Sequence, residues 1–470
     1  MTTKSGILSI LASAIFICGC EQPDSDYFFQ TKAMEVTPLQ QSEQRPKIPA
    51  DLDLSSEPLN LRQAIEIALA NNPEVAAMGW DSVAAQARQE QIFAERLPRL
   101  GLAGGYNRHL DEQRLLPVGQ PGDPAILSRD IFSGDIVISL PLFTGGRLIN
   151  QVKAADLLQQ AATHRLARSK EELVFNVSSI FFSILAQRHV IESLEFSLGT
   201  LEEHVKRIDA LIAAQKAAKV ERMRTEVRLA DVRQQLVREN NLTTIQCRVL
   251  ANLLGLEDHI DQISLRGELE LPEKAIVPEF EAALAEAWKE RDDYLAARSA
   301  LEAQARNVDA ARAGHWPTVL LQGSYGERWA AGPTIGTGDE SGDLGRIGLA
   351  MEIPLYEGGR IDAKVREQRA NLVGAQERLR KLELQIRLEI ETALSNVRSS
   401  QERLDAIGKS IAQARESLRI ERQKYELGNG AIVDVLDAQS ALLETETTYY
   451  RVQAELQTAL AQVKLAMGEI

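Results

Sequence analysis

The segment LPLFTGGR at residues 140–147 occurs a second time as IPLYEGGR at residues 353–360. In each copy a proline lies within an apolar run and two adjacent glycines precede an arginine; these positions are Pro141, Gly145, Gly146, Pro354, Gly358 and Gly359. Pairs of glycines are typical of turns. A turn that occurs twice in this form indicates an internal duplication, which decides how the rest of the chain is interpreted.

A second pair of landmarks lies upstream of the two turns. Pro98 in LPRL is matched by Pro317 in WPTV, just as Pro141 is matched by Pro354. Pro98 and Pro317 are each preceded by an Ala-rich amphipathic stretch. The chain is therefore predicted to contain two copies of one unit, at residues 59–256 and 279–470, joined by a connection at 257–278.

Each copy is predicted to change from helix to strand at the same place. Helical periodicity at residues 59–96 and 279–314 stops before Pro98 and Pro317, because proline and the residue before it resist a continued helix. The alternation of apolar residues that follows predicts strands. The four predicted strands span about residues 99–109, 133–143, 318–328 and 345–356, and the Gly/Pro/Asp-rich segments between them are predicted loops.

A very long helix is predicted after each glycine pair, at about residues 147–216 and 360–427. At 1.5 Å per residue each helix would extend roughly 100 Å. Each reverses at a short turn, near residues 217–219 and 428–430, and returns as another helix. Apolar or aromatic residues recur at every seventh position, which predicts coiled-coil packing; one such series is Leu442, Tyr449, Leu456 and Val463.

The first twenty residues are predicted to be an export signal, since Lys4 precedes an apolar core that runs from Ile7 to Ile17. The ending ICGC resembles a bacterial lipobox, in which residues 1–19 are removed and Cys20 becomes lipid-modified. An ordinary signal peptide that is cleaved nearby is the alternative. Residues 20–58 would form a periplasmic linker, and Cys247 would be the remaining thiol, so no disulfide framework is expected.

Composition excludes several classes of function. A formal net charge of −14 argues against nucleic-acid binding, which needs a surplus of Lys and Arg. The six histidines have no metal-ligand spacing and no segment fits a phosphate-binding loop, so no metal, cofactor or enzymatic activity is predicted. After the signal there is no run of about 18 apolar residues, so any membrane span is expected to consist of strands.

These features together resemble the outer-membrane factor family, the TolC-like channels of tripartite efflux pumps and type I secretion systems, and within it the lipoproteins. The resemblance covers nearly all of residues 59–468. The resemblance rests on the duplicated turns, on the prolines between helix and strand, and on three further motifs: LxxA at 61–64, ALxxNP at 68–73 and IVDVLDA at 432–438.

The resemblance implies a mainly α fold with a transmembrane β-barrel. Three chains would contribute four strands each to a twelve-stranded barrel, and their helices would form a long periplasmic α-helical barrel with residues 263–271 in an equatorial belt. Strands in lipid must close without free edges, which agrees with this arrangement. The homotrimer would sit in the outer-membrane lipid, anchored at Cys20. It would be the passive exit duct for a periplasmic adaptor and an inner-membrane transporter.

The resemblance also assigns roles near the turn at 428–430. Asp434 and Asp437 share one face of a helix and match aspartates at the periplasmic entrance of TolC-like tunnels, where a carboxylate ring favours cations. A favourable interaction with the helix dipole is the alternative account of both residues. Tyr425 matches a tyrosine that helps to keep the resting entrance shut. The first-copy turn at 216–224 lacks the expected aspartate, so the family's closing contacts are not expected to transfer intact.

The main alternative to a channel is a coiled-coil lipoprotein that tethers the outer membrane to the periplasm. Such a protein needs only the long helices and their seven-residue repeat. It gives no account of the two strand pairs, which are inserted at matching places in the two copies. The channel is therefore the favoured interpretation of the sequence.

Overall fold

The computed structural model describes residues 58–117, 125–256, 265–269, 277–336 and 340–469, all within one compact unit that runs from Leu52 to Ile470. The predicted signal peptide, Cys20 and nearly all of the predicted linker lie outside the described residues. The elements of the described part follow the same order in two halves of the chain.

The first half contains α1 (Leu61–Asn71), α2 (Pro73–Ala94), β1 (Arg99–Arg114), β2 (Leu127–Phe143), α3 (Arg147–Ala213) and α4 (Lys219–Leu254). The second half contains α5 (Phe280–Glu290), α6 (Asp292–Arg312), β3 (Thr318–Ala330), a short β4 (Thr334–Ile335), β5 (Ser341–Glu352), α7 (Arg360–Glu426) and α8 (Ile432–Met467). A 3-10 turn at Ala313–His315 precedes β3. Thus α5, α6, α7 and α8 repeat α1, α2, α3 and α4.

The helices predicted at 59–96 and 279–314 are each broken in two, which the sequence analysis did not predict. In the first copy, Asn72 is extended (ψ 124°) and its Oδ1 accepts hydrogen bonds from the backbone N–H groups of Glu74 and Val75. Pro73 follows at the first position of α2, where its missing N–H costs nothing. In the second copy Arg291 is extended at the equivalent position without a proline (ψ 116°).

The duplicated glycine pairs form the expected turns. Gly145 and Gly146 have φ values of +62° and +88°, and Gly358 and Gly359 have +61° and +80°, a region that glycine adopts without strain. At Gly145 the chain also passes very close to a neighbour, since a Cβ there would lie 2.5 Å from the Cβ of Trp316. Each turn delivers the chain from the sheet into a 67-residue helix, α3 or α7.

The long strands form one antiparallel sheet in the order β1-β2-β3-β5, and the short β4 pairs with the first residues of β2. The strands differ from the predicted ranges at their ends. The first hairpin is longer than predicted, since β1 reaches Arg114 and β2 begins at Leu127. Strand β5 begins at Ser341 and ends at Glu352, so Pro354 lies after the strand, not within it. Among the described residues no strand pairs with the outer edge of β1 or of β5.

The two faces of the sheet differ in chemistry because side chains of a strand alternate between faces. One face carries apolar side chains of all four long strands: Leu100, Leu102, Tyr106, Phe132, Ile136, Ile138, Leu321, Tyr325, Trp329, Ile347, Leu349 and Met351. Three of their rings are in contact across the strands: the centroids of Tyr106 and Phe132 lie 4.9 Å apart with the rings tilted, and those of Phe132 and Trp329 lie 5.6 Å apart with the rings stacked. The opposite face is mostly small or polar: Ala103, Gly105, Asn107, Ser133, Asp135, Ser139, Gln322, Ser324, Arg328, Arg346 and Gly348.

The helices pack side by side, with α3 between α2 and α4 on one side and α6 and α8 on the other. The seven-residue repeats contribute to this packing, since Leu456 and Val463 of α8 and Ile386 and Ala393 of α7 are buried in one apolar cluster. One segment of α3 is apolar enough to cross a membrane by length and composition, although the sequence analysis expected no such segment. In the described protomer 44% of this segment is buried.

Part of the predicted equatorial belt at 263–271 is described. Leu265 forms an isolated parallel bridge with Leu59, and the Arg266 N–H donates to the Leu59 carbonyl at 2.8 Å. The rest of the predicted belt lies outside the described residues.

Candidate functional site

The turns that end the two long helices lie next to each other. Arg207 of α3 forms an ion pair with Glu426 of α7 (Nη1 to Oε1, 3.2 Å). The Tyr425 hydroxyl of α7 donates a hydrogen bond to the Glu221 carboxylate of α4 (Oη to Oε2, 3.2 Å). The α3–α4 and α7–α8 hairpins therefore meet, and we call this part of the molecule the hairpin end.

The two predicted entrance carboxylates lie at the start of α8. Asp434 and Asp437 are exposed, on the side of the helix away from the buried Ile432, Val435 and Leu436. Neither forms an ion pair with any residue that the structure describes. The Asp434 Oδ2 accepts a hydrogen bond from the Ala431 backbone N–H at 3.4 Å, so Asp434 also stabilises the helix start.

A favourable interaction with the helix dipole explains the position of Asp434 but not that of Asp437. Asp434 is the third residue of α8 and lies in its first turn, where a negative charge interacts favourably with the helix dipole. Asp437 is the sixth residue and lies beyond that turn, where the effect has fallen off. Its exposed carboxylate therefore has no structural role in the described part of one protomer.

Tyr425 connects the two hairpins. Its ring is half-buried against the apolar cluster that contains Ile432 and Val435. Burial and the neighbouring Glu221 carboxylate raise the pKa of the Tyr425 hydroxyl, so it remains a protonated hydrogen-bond donor at neutral pH. The role of Glu221 was not predicted from the sequence, because the family pattern has an aspartate in this turn and the first-copy turn lacks one. The available signal was an acidic residue in the first turn of α4.

Further charged contacts surround this connection. Arg222 of α4 pairs with Asp209 of α3 and with Glu226, both at 2.7 Å. His204 of α3 is buried nearby, and burial together with the Arg422 and Arg207 charges lowers the pKa of its imidazole. Exposed ion pairs of this kind contribute roughly 0–1 kcal/mol each, so packing supplies most of the stability of the hairpin end.

The described residues hold no group of His, Cys, Asp and Glu side chains suited to a metal ion. Cys247 is half-buried on α4, and burial raises the pKa of its thiol. A raised thiol pKa disfavours the nucleophilic thiolate.

The sequence profile of the outer membrane efflux protein family matches residues 64–256 and 283–469, which are the two copies of the internal repeat. The chain belongs to this family. Its members are outer-membrane channel proteins, not enzymes, and this chain is an outer-membrane efflux protein. The family and the mainly α fold class that the sequence resemblance implied are thereby confirmed.

Individual relatives cover most of the efflux protein's length. It is 24% identical over 421 residues to outer membrane protein TolC of Escherichia coli, a match that covers 85% of this chain and 79% of TolC. It is 27% identical over 434 residues to outer membrane protein OprJ of Pseudomonas aeruginosa, covering 87% and 84% of the two chains. The crystal structure of the Campylobacter jejuni CmeC outer membrane channel matches with a TM-score of 0.75 at 16% identity, over 87% of this chain and 85% of CmeC.

Proposed function

We propose that three copies of this efflux protein form the exit duct of a tripartite export system. Each would contribute four strands to a twelve-stranded barrel in the outer membrane and its helices to a periplasmic tunnel. Since the chain contains no predicted nucleotide site, an inner-membrane transporter reached through a periplasmic adaptor would supply the energy. A lipid on Cys20 would add an anchor but would not span the membrane.

The main support for this proposal is the difference in chemistry between the two faces of the sheet. An apolar face is suited to lipid and a small, polar face is suited to a water-filled lumen, which is the alternation expected of a membrane barrel. A sheet of four long strands with two open edges cannot exist in lipid, because each unpaired backbone group there costs several kcal/mol. A periplasmic tether would need neither an apolar outer face nor edges that close between copies.

The hairpin end would form the periplasmic entrance. Threefold symmetry would place six carboxylates, from Asp434 and Asp437 of each chain, around one narrow mouth. A ring of like charges in a constriction focuses the electrostatic field, attracts cations and repels anions. The exposure of both carboxylates and their lack of ion pairs within the described protomer support this role. Tyr425 and Glu221 would hold the two hairpins together in the resting state.

The ratio of cation to anion permeability tests the entrance. We expect the double substitution Asp434→Ala and Asp437→Ala to lower this ratio, measured from reversal potentials in planar bilayers under a salt gradient. Glu402→Ala with Asp405→Ala is the matched control, because these carboxylates also lie three residues apart and exposed, on α7 far from the hairpin end. Unchanged selectivity in the first variant, or an equal loss in the control, would exclude the carboxylate ring.

A further inference from the structure

A cavity of about 540 Å³ lies where four helices converge, α3, α4, α7 and α8. Its volume falls within the range that is typical of small-molecule sites. Ser183 of α3 lines it about 30 residues before the end of that helix at Ala213, which places the cavity roughly 45 Å from the hairpin end. The proposed entrance carboxylates therefore take no part in it, and we call it the polar cavity.

The two copies of the internal repeat contribute equivalent positions to the polar cavity. Pro354 follows Pro141 by 213 residues. The same interval relates three lining positions of α3 to three of α7, namely Ser183, Ala186 and Gln187 to Asn396, Ser399 and Ser400. The cavity therefore lies at one level of the two long helices, where both copies turn the same part of their repeat toward it.

The lining of the polar cavity offers neither a large apolar surface nor a free charge. Among the described residues its apolar side chains are those of three alanines: Ala186, Ala454 and Ala459. Arg403 pairs with Glu455 at 2.6 Å, and Arg451 pairs with Glu239 at 3.1 Å, so the charges at the cavity are neutralised in pairs. The cavity is therefore poorly suited to an aromatic solute or to one with a large net charge.

The lining does offer unpaired hydroxyl groups. Four of them make no hydrogen bond with any residue that the structure describes, and they belong to Ser179, Ser399, Ser400 and Thr458. Ser400 is only 6% exposed, and buried hydroxyls in proteins are normally hydrogen-bonded. These groups are therefore available to a ligand that itself carries several hydrogen-bonding groups.

The polar cavity opens on one particular side of α3. Phe181 and Leu185 of α3 pack against Gly267, where a Cβ would lie 3.4 and 3.2 Å from their side chains. Ser183 is two residues from each of them, which at 3.6 residues per turn places it on the opposite face of the helix. The cavity and the segment at 265–267 therefore lie on opposite sides of α3.

The same relation holds on α7. Val397 belongs to an apolar cluster that includes Leu284 of the short helix α5, whereas Ser399, two residues further along α7, lines the polar cavity. Helix α5 and the segment at 265–267 thus pack on the side of the long helices away from the cavity. Additional elements inside a tunnel would obstruct its bore, so in the proposed tunnel the cavity side is the inner side of the wall.

We propose that the polar cavity is a solute-binding site on the inner wall of the tunnel, one in each chain, and that it takes neutral, hydroxyl-rich solutes of oligosaccharide size. Sugar hydroxyls both donate and accept hydrogen bonds, as the hydroxyls of Ser399, Ser400 and Thr458 do. The position inside a tunnel rests on the proposed function, whereas the cavity itself lies within one chain. The inference adds a class of solute that the duct accepts between its entrance and its barrel.

Calorimetric titration of the purified, full-length protein with maltotriose tests the site. The detergent must lack a sugar headgroup, so that it does not compete with the probe. We expect saturable binding at one site per chain, with no displacement by citrate, an anion, or by spermidine, a cation. Displacement of maltotriose by either ion would overturn the neutral class of ligand, and the absence of maltotriose binding would overturn the site.

A pair of matched variants assigns the binding to the polar cavity. Ser400→Ala with Thr458→Val removes two unpaired hydroxyls and should weaken maltotriose binding roughly tenfold or more, since each lost hydrogen bond accounts for a factor of roughly 2 to 10. Ser410→Ala with Thr445→Val is the control, because it changes the same residue types on the same two helices, and these hydroxyls bond only to carbonyls of their own helix. Unchanged affinity in the first variant, or an equal loss in the control, would overturn the assignment.

Channel current in planar bilayers separates this inference from the proposed function. Maltotriose should lower the current in a saturable way, and the Ser400→Ala, Thr458→Val variant should need roughly tenfold more sugar for half of the effect. Polyethylene glycol of similar mass should lower the current equally in both proteins. Calorimetric binding without any effect on the current would overturn the position on the inner wall. The absence of channel current would instead overturn the proposed function, and calorimetry would still decide whether the cavity binds sugar.

Discussion

A buried carboxylate, Glu171, lies in a cluster of charged side chains where α3 meets α6. Glu171 is 7% exposed, and burial, opposed by Arg168 and reinforced by Asp292 and Asp293, raises its pKa to about 7. The other charged groups of the cluster are His164 and Glu172 of α3, Arg291 before α6, and Glu389 of α7. Arg291 is almost fully buried and pairs with both Asp293 and Glu389, so the cluster connects α3, α6 and α7.

Protonation of Glu171 is therefore linked to stability. Because its pKa is higher in the folded state than in the unfolded state, its stabilising contribution is complete below pH 4.5 and is lost as the pH rises through 7. At pH 8 we expect Glu171→Gln to be more stable than the native protein by about 1–3 kcal/mol, since each pKa unit corresponds to about 1.4 kcal/mol. Between pH 5 and 8 the native protein should lose stability that the variant retains.

Chemical denaturation in detergent across this pH range measures the effect. Glu172→Gln is the matched control, because Glu172 also pairs with Arg168 but is mostly exposed. The control should retain the native pH dependence. An identical pH dependence in native protein and Glu171→Gln would show that Glu171 does not titrate in this range.

At the scale of elements, the break between α1 and α2 depends on one side chain. Asn72 caps α2 through its Oδ1, and its Nδ2 donates to the Leu253 carbonyl at the end of α4. We expect Asn72→Ala to cost about 1–3 kcal/mol, since it removes a helix cap and a part-buried hydrogen bond. Asn71→Ala is the control, because the Asn71 Nδ2 only bonds to the Ile67 carbonyl within its own helix. Equal losses of unfolding free energy in the two variants would contradict the capping role.

The elements also show what local sequence could predict. The glycine pairs and Pro98 and Pro317 placed the turns and the starts of β1 and β3 within a residue, because glycine and proline act through the local backbone. The break at Arg291 was missed because its cause is distant in sequence: the side chain bonds to the Ala466 carbonyl and to Glu389. The end of β5 was missed because the apolar pattern continues past Glu352 into the turn.

At the hairpin end, too, the sequence predicted local positions but not the contact between distant residues. The positions of Asp434, Asp437 and Tyr425 beside the α7–α8 turn followed from sequence spacing and resemblance. The contact between Tyr425 and Glu221 did not, because it joins residues 204 positions apart and depends on how two hairpins pack. A helical pattern fixes which residues share a face, but it does not fix which distant helix covers that face.

At the scale of the whole molecule, the second copy of the repeat has fewer packing partners than the first. This holds both for its last strand, β5, and for its long helix, α7. In the described protomer, strand β5 lacks a second neighbour. The extensive packing of α7 is with α6 and α8, and Tyr425 contacts Glu221 of α4 at the hairpin end. Three copies that meet at these surfaces would give every element the neighbours that its counterpart already has. The same closure would turn the polar face of the sheet inward and leave the apolar face in lipid.

The conductance of the purified, full-length protein in planar lipid bilayers tests this claim most directly. We predict discrete, long-lived current steps of uniform size, because a closed barrel with a polar lumen conducts ions. A protein that is bound to the bilayer but carries no current under any applied voltage would contradict the account.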